Sequence, residues 1–305
     1  MKYLYTTLGK LTADQLGMIL AHEHVFVDLR TPDQAGYAEA ETDSVLALMV
    51  PQIEAIKALG VTALVECSTG GVGRRADLDL AVSRATNFPI VVPTGNYREP
   101  WIPDWVRNAN QDALRDWMIA ELDDQIEDTG FRAGWIKLSA GDDGITPLEA
   151  TILRAATHAA MATGAVIGSH TIRGTVVMEQ LDIIEAEGGS ARRFISIHTH
   201  AEPDFGLHRA IAGRGAWIEY DNIGAVPVQE SAELILKALD AGLGSQLLIS
   251  HDRGWYDPAL ADGGVPKPYT VVNLELIPLL SRLGVSEDTI IQLFHRNPFA
   301  AFSRP

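Results

Sequence analysis

The stretch Gly17-Met18-Ile19-Leu20-Ala21-His22-Glu23-His24 decides how this chain is read. An apolar run closes on two histidines spaced two apart. In a β-strand alternate side chains share a face, so both imidazoles project together from one strand end, as adjacent metal ligands need to. Glu23 then points to the opposite face. The helical His-Glu-x-x-His zinc motif needs its second histidine four residues on, so this is a different kind of site.

Similar apolar, β-rich runs recur along the chain, each followed by a segment of helical periodicity, the sign of repeated βα units around a parallel sheet. Eight strands are expected, at 17–22, 61–67, 89–95, 134–139, 165–170, 194–198, 216–220 and 246–251. Amphipathic helices are expected from Asp43 to Leu59, Asn110 to Thr129, Pro147 to Thr163, Thr175 to Glu187 and Ser231 to Ala241. Gly60, Gly130, Gly164, Gly188 and Gly242 follow them where a left-handed cap would end a helix. A closing segment, Val271 to Leu283 and Glu287 to His295, should stop at Asn297-Pro298 and pack outside the barrel. Strand pattern alone also allows an open doubly wound sheet. Candidate ligands at the ends of five different strands favour a closed (β/α)8 TIM barrel, where chemistry gathers at the carboxyl ends.

At 305 residues the chain fits one α/β-barrel domain spanning 1–305, with no linker-like tract to mark a boundary. A formal charge of -16 and a pI near 4.9 argue against nucleic-acid or anionic-membrane partners, which would repel it. The beginning lacks a secretory signal and no segment is apolar enough for a membrane span, so a cytoplasmic location is expected. The single cysteine, Cys67, excludes an internal disulfide and reads as a small buried hydrophobe at a strand end.

Lys137 lies in Gly134-Trp135-Ile136-Lys137-Leu138-Ser139, where a charged ammonium is costly without a partner. His170 ends Ala165-Val166-Ile167-Gly168-Ser169, His198 ends Phe194-Ile195-Ser196-Ile197, and Asp252 follows Leu247-Leu248-Ile249-Ser250-His251. Singly, each has an ordinary explanation: a satisfied histidine at the core edge, a lysine reaching for solvent, an aspartate capping a turn. Together, four histidines, a lysine and an aspartate on strands one, four, five, six and eight form an inventory for two divalent metals. Imidazole and carboxylate donors suit zinc or a similar first-row ion, with cobalt, manganese or iron as alternatives.

These residues resemble the phosphotriesterase family of the amidohydrolase superfamily, in its lactonase and homology-protein branch. The resemblance is carried by Leu16 to His24, Ile136-Lys137, Ser169-His170-Thr171 and Ser250-His251-Asp252, with Gly71-Val72-Gly73-Arg74, Thr94-Gly95-Asn96-Tyr97 and Asn297-Pro298 as further matches. It implies that His22, His24 and Asp252 hold the more buried metal and that His170 and His198 hold the more exposed one. Lys137, carbamylated, would bridge both, its cation replaced by an anionic group. The resemblance further implies a metal-bridging hydroxide as nucleophile, Asp252 as its proton acceptor, and a homodimer.

The phosphotriesterases carry a proton relay made by a histidine after the seventh strand and an aspartate after the sixth. Here Asp221-Asn222 and Ala201 stand at those places, and the relay is missing. Hydrolysis of a lactone or related carboxylic ester is therefore the expected activity, with phosphotriester or N-acyl amide hydrolysis as alternatives and a catalytically idle binding protein as the remaining class. The arginine typical of the lactonases is also replaced, by Asn222. Tyr97 resembles the tyrosine that approaches the metal centre in the lactonases and could orient a carbonyl. His200 is expected to contact a ligand's partner or the substrate. Arg98, Arg173, Arg253 and Lys267 fall in loops at the active-site face and would suit an anionic small molecule such as a sugar lactone.

Overall fold

The computed structural model describes residues 1–305. The apolar runs become eight parallel strands: β1 (Met18–Phe26), β2 (Val61–Glu66), β3 (Ile90–Val91 and Pro93–Thr94, interrupted at Val92), β4 (Trp135–Ser139), β5 (Ile167–His170), β6 (Phe194–Ile197), β7 (Trp217–Tyr220) and β8 (Leu247–Ile249). Each pairs in parallel with its sequence neighbours, β1 through β3 in one ladder and β3 through β8 in the next. This is the (β/α)8 TIM-barrel arrangement.

At the seam between β8 and β1 no regular ladder forms, and other bonds bridge it. The Asp252 amide donates to His22 O at 3.1 Å and the His24 amide to Arg253 O at 3.0 Å. The fully buried Glu23 carboxylate accepts from Ser250 Oγ at 2.8 Å and from the amides of His251 and Arg253 at 3.2 Å each. A short strand, Gly254–Tyr256, adds two parallel pairs to the end of β1.

Strand alternation sorts the apolar side chains into two layers. Ile19, Ala21, Ala63, Val65, Trp135, Val166, Ile195, Ile197 and Leu248 pack on one another inside the ring. Their alternates, such as Leu20, Leu64, Ile136, Ile167, Ile218 and Leu247, pack with the outer helices. The helices follow the periodicity, at Thr42–Ala58, Ala76–Thr86, Gln111–Asp123, Pro147–Thr163, Gly174–Ala186, Phe205–Gly213 and Val228–Asp240. Pro147–Thr163 begins with a Thr146/Glu149 capping box and ends at left-handed Gly164, φ 76°.

Two expectations fail at helix ends. The helix expected to reach Thr129 stops at Asp123, and Gly130 instead sits in a turn closed by the Ile126 amide on Phe131 O at 2.9 Å. Nor does Asn297-Pro298 stop the closing segment. A wide π-type turn at Gln292–Arg296 absorbs the residue that proline cannot bond, and Asn297–Phe302 continues as helix with proline in its first turn, where the missing amide is not needed.

The expected segment itself packs with the outer helices through Val272, Leu276, Leu280, Leu293 and Phe294, but its continuation enters the barrel. Ala301 and Phe302 join the interior layer, with the Phe302 ring edge-on to Trp135 at 5.2 Å between centroids. Leu4 enters the same layer from an N-terminal hairpin, and Tyr3 and Arg304 exchange backbone bonds, so the two chain ends together seal the amino-terminal mouth. No helix is long and apolar enough to cross a membrane.

Candidate metal centre

Inward parity brings several expected residues to the carboxyl end of the barrel. Lys137 follows Trp135, His170 follows Val166 and Gly168, and Asp252 follows Leu248 and Ser250, each two residues beyond an interior neighbour. His22 and His24 break this rule, because Ile19 and Ala21 already hold the interior positions of β1. A bulge between Leu20 and Glu23, three residues on β1 against two on β2, switches the parity and turns both histidines inward. His198 also has the wrong parity, and a left-handed backbone, φ 63°, re-aims it. Asp252 is left-handed too, at φ 53°. Gly95, φ 108°, lets β3 pass β4 where an added Cβ would stand 2.3 Å from Lys137 O.

The donor atoms converge in two groups. His24 Nε2 lies 3.0 Å and His22 Nε2 3.5 Å from Asp252 Oδ1, and the three residues offer donors close enough to hold one ion. His198 Nε2 and His170 Nδ1 are 2.7 Å apart. Buried partners hold the far side of three of these rings. His24 Nδ1 meets Ser68 Oγ at 2.8 Å, His198 Nδ1 meets Asp221 Oδ1 at 2.8 Å, and His22 Nδ1 meets Glu219 Oε2 at 3.0 Å. Such anchoring fixes the tautomer that leaves the inward nitrogen free for a metal. Lys137 is buried among them, its Nζ 5.8 Å from the Trp135 ring.

The charges follow from this packing. Burial would raise the Asp252 carboxyl, but the charge and hydrogen bonds of His22 and His24 hold it well below the usual carboxylate range. Burial likewise works against ionised Asp221, and His198, His200 and His22 overcome it, keeping Asp221 an anion. His170 is pushed well below its ordinary value by burial, then by the neighbouring His198 and Lys137. Burial also raises the Cys67 thiol to about 11, which leaves it no nucleophile near neutrality.

One cavity of about 200 Å³ gathers His22, His24, Lys137, His170, His198 and Asp252, and its other walls are Val27, Leu29, Cys67, Val72, Tyr97 and Trp255. The loop after β1 is held by buried Asp28, which accepts from Arg30 Nη2 at 2.7 Å and from the Ala38 amide at 2.8 Å. Tyr97 packs edge-on to His170 at 5.2 Å, and burial raises its hydroxyl. Trp255 stands edge-on to His24 at 5.6 Å.

The expected substrate residues are placed less uniformly. His200 Nδ1 contacts Asp221 Oδ1 at 3.0 Å, behind His198. Arg98, Asn222, Arg253 and Lys267 are not among the residues lining the cavity. Arg98 lies over the Trp101 ring, Lys267 over the Trp255 ring, and Arg253 donates to Gly224 O. His251, on the outer face, meets Glu23 at 2.5 Å. His158 pairs with Glu187, His208 with Tyr220 and His295 with Ala13 O, all away from the cavity. Sequence reasoning passed over Glu219, although an acid inside Trp217-Ile218-Glu219-Tyr220 is the same anomaly that singled out Lys137. It also missed the apolar walls, which come from loops without periodicity.

The model of the Phosphotriesterase family matches residues 2–302. A phosphotriesterase homology protein of Mycobacterium tuberculosis (strain ATCC 25618 / H37Rv) is 28% identical, the match covering 100% of this chain and 98% of the relative. An aryldialkylphosphatase of Saccharolobus solfataricus is 27% identical over 94% of this chain and 95% of the relative. Among solved structures, a mutant of a Deinococcus radiodurans PTE-like lactonase superposes with a TM-score of 0.87 at 27% identity, covering 98% of this chain and 99% of that one.

Proposed function

Given that this chain belongs to the phosphotriesterase family, and that its relatives include an aryldialkylphosphatase, a phospho-furanose lactonase and an N-acetyltaurine hydrolase, we propose that it opens a lactone or related carboxylic ester at a binuclear metal centre. The observation that carries this reading is the single cavity in which six candidate ligands meet an otherwise apolar wall with one tyrosine. The donor set fits: His22, His24 and Asp252 would hold one ion and His170 and His198 the other. Lys137 fits as a bridge once carbamylated, since an ammonium has no lone pair to offer and is costly to bury. When bound, zinc or a similar ion would lower the pKa of water and polarise the ester carbonyl.

The chain's own groups supply the rest. Asp252, held ionised by His22 and His24, takes up the water's proton at its carboxylate and returns it to the departing alkoxide, so the proton balances. Tyr97, kept protonated by burial, donates a hydrogen bond toward the carbonyl oxygen. Val27, Leu29, Val72 and Trp255 exclude water and accept the hydrocarbon part of the substrate.

A carboxylic ester is favoured over a phosphotriester because Asn222 and Ala201 stand in place of the proton relay. Within the lactones a small neutral ring is favoured over an anionic sugar lactone, because none of the four loop cations lines the cavity. Initial rates of metal-reconstituted protein, followed with a pH indicator, test this across neutral lactones, anionic sugar lactones, N-acyl amino acids and an aryl phosphotriester. Preference for neutral lactones supports the reading. Turnover of only the phosphotriester or the amide would overturn the lactonase assignment, and preference for anionic rings would overturn the account of the cavity wall.

A further inference from the structure

Glu219 sits in the middle of β7 with its side chain inside the barrel, 1% exposed. A carboxylate so placed is costly unless its oxygens are satisfied, yet Oε1 has no hydrogen-bond partner and Oε2 has one, His22 Nδ1 at 3.0 Å. The neighbouring inward acid, Asp221, approaches the same nitrogen at 3.3 Å but is already committed elsewhere. It accepts from the His198 amide at 3.1 Å and meets His198 Nδ1 at 2.8 Å and His200 Nδ1 at 3.0 Å. β7 thus presents two carboxylates, two residues apart on one face, and each serves a different histidine of the cavity.

We propose that Glu219 is the positioning residue for His22, accepting from Nδ1–H so that Nε2 is left unprotonated and turned toward Asp252 and the bound ion. The inference rests on His22 being a metal ligand, as in the proposed function. His22 lies within the β1 bulge, between the paired residues Leu20 and Glu23, where the strand ladder does not fix its direction, so a side-chain anchor has to. Glu219 supplies that anchor from across the barrel.

The test compares Glu219→Leu, which removes the acceptor at similar volume, with Glu219→Gln, whose amide oxygen can still accept from Nδ1–H. Zinc affinity is measured by competition with a chromophoric chelator and stoichiometry by elemental analysis, with circular dichroism of the metal-free proteins to confirm folding. In Glu219→Leu the affinity for one of the two ions should fall about 10–100-fold, the usual cost of losing such a partner, while the other ion is retained. Glu219→Gln should stay within about 3-fold of the parent, because it keeps the acceptor oxygen that orients the ring of a metal-binding histidine.

Unchanged affinity in the leucine variant would overturn the proposal, and so would equal losses in both variants, which would mean that charge and not orientation matters. If the leucine variant does not fold, nitrogen-15 histidine spectra of the metal-free parent decide. A His22 signal, assigned by its loss in His22→Asn, showing Nδ1 protonated supports the proposal, and Nε2 protonated overturns it. A parent protein that binds two ions but hydrolyses no ester leaves this inference standing while the proposed function fails; a parent that binds none removes both.

Discussion

Phe302→Ala tests whether the chain's last helix is part of the barrel interior. Phe302 is 2% exposed and stands edge-on to Trp135, whose ring is the floor 5.8 Å beneath Lys137 Nζ. Truncating a buried phenylalanine to alanine costs about 3–5 kcal/mol, the lost transfer energy plus the unfilled cavity. Unfolding entropy near 60 °C is about 2.1 cal/mol/K per residue, or about 0.6 kcal/mol/K for this length, so Tm should fall by about 5–8 °C. Differential scanning calorimetry of metal-free parent and variant, at one protein concentration and scan rate, measures it. Leu283→Ala, at a 43% exposed position, should move Tm by no more than about 1 °C, as surface truncations do, and serves as the comparison. A shift under about 2 °C for Phe302→Ala would refute the reasoning, since a helix merely resting on the outside is the case in which so little packing is lost.

Asp252→Asn should lower kcat by about 10²–10⁴-fold while the circular dichroism spectrum is kept, because the amide cannot accept the proton and is a poorer ligand. Near-normal turnover with metal content verified would refute its role. Chelation should abolish turnover, and zinc with bicarbonate should restore it; restoration in Lys137→Ala without a small added carboxylic acid would argue against a carbamylated bridge. Asp28→Ala leaves the Ala38 amide without its acceptor while Arg30 keeps Ala35 O and Gly36 O, and should cost about 1–3 kcal/mol in urea unfolding; an unchanged midpoint would refute the role of Asp28 in holding the loop. The pH dependence of stability tests His208, which donates from Nε2 to Glu202 O and accepts at Nδ1 from the Tyr220 hydroxyl, with burial lowering its pKa. The unfolded histidine binds the proton more readily. Its contribution is therefore full above about 6.5, the unfolded pKa, and is lost as pH falls toward the folded one. His208→Gln should flatten that acid limb of the urea-midpoint profile, and an unchanged limb would assign the loss to other groups.

By itself the sequence determined the repeat of strand and helix, because an alternating apolar period and left-handed glycines after helices are local properties of the chain, while the preference for a barrel over an open sheet came from candidate ligands at five strand ends. It also singled out His22, His24, Lys137, His170, His198 and Asp252 as polar residues within or at the end of apolar strands, and of these Lys137, His170 and Asp252 simply continue the inward parity of their strands. Tertiary structure decided the rest. The inward aim of His22, His24 and His198 depends on a bulge and a left-handed residue that break parity, and neither has a sequence signature here. Val27, Leu29, Val72 and Trp255 become a wall only because loops from opposite ends of the chain meet over the same opening. The partners that hold the rings were likewise out of reach. Glu219 and His22 are separated by 197 residues, and what brings a carboxylate oxygen to an imidazole nitrogen is the closure of the ring, which strand periodicity alone does not specify.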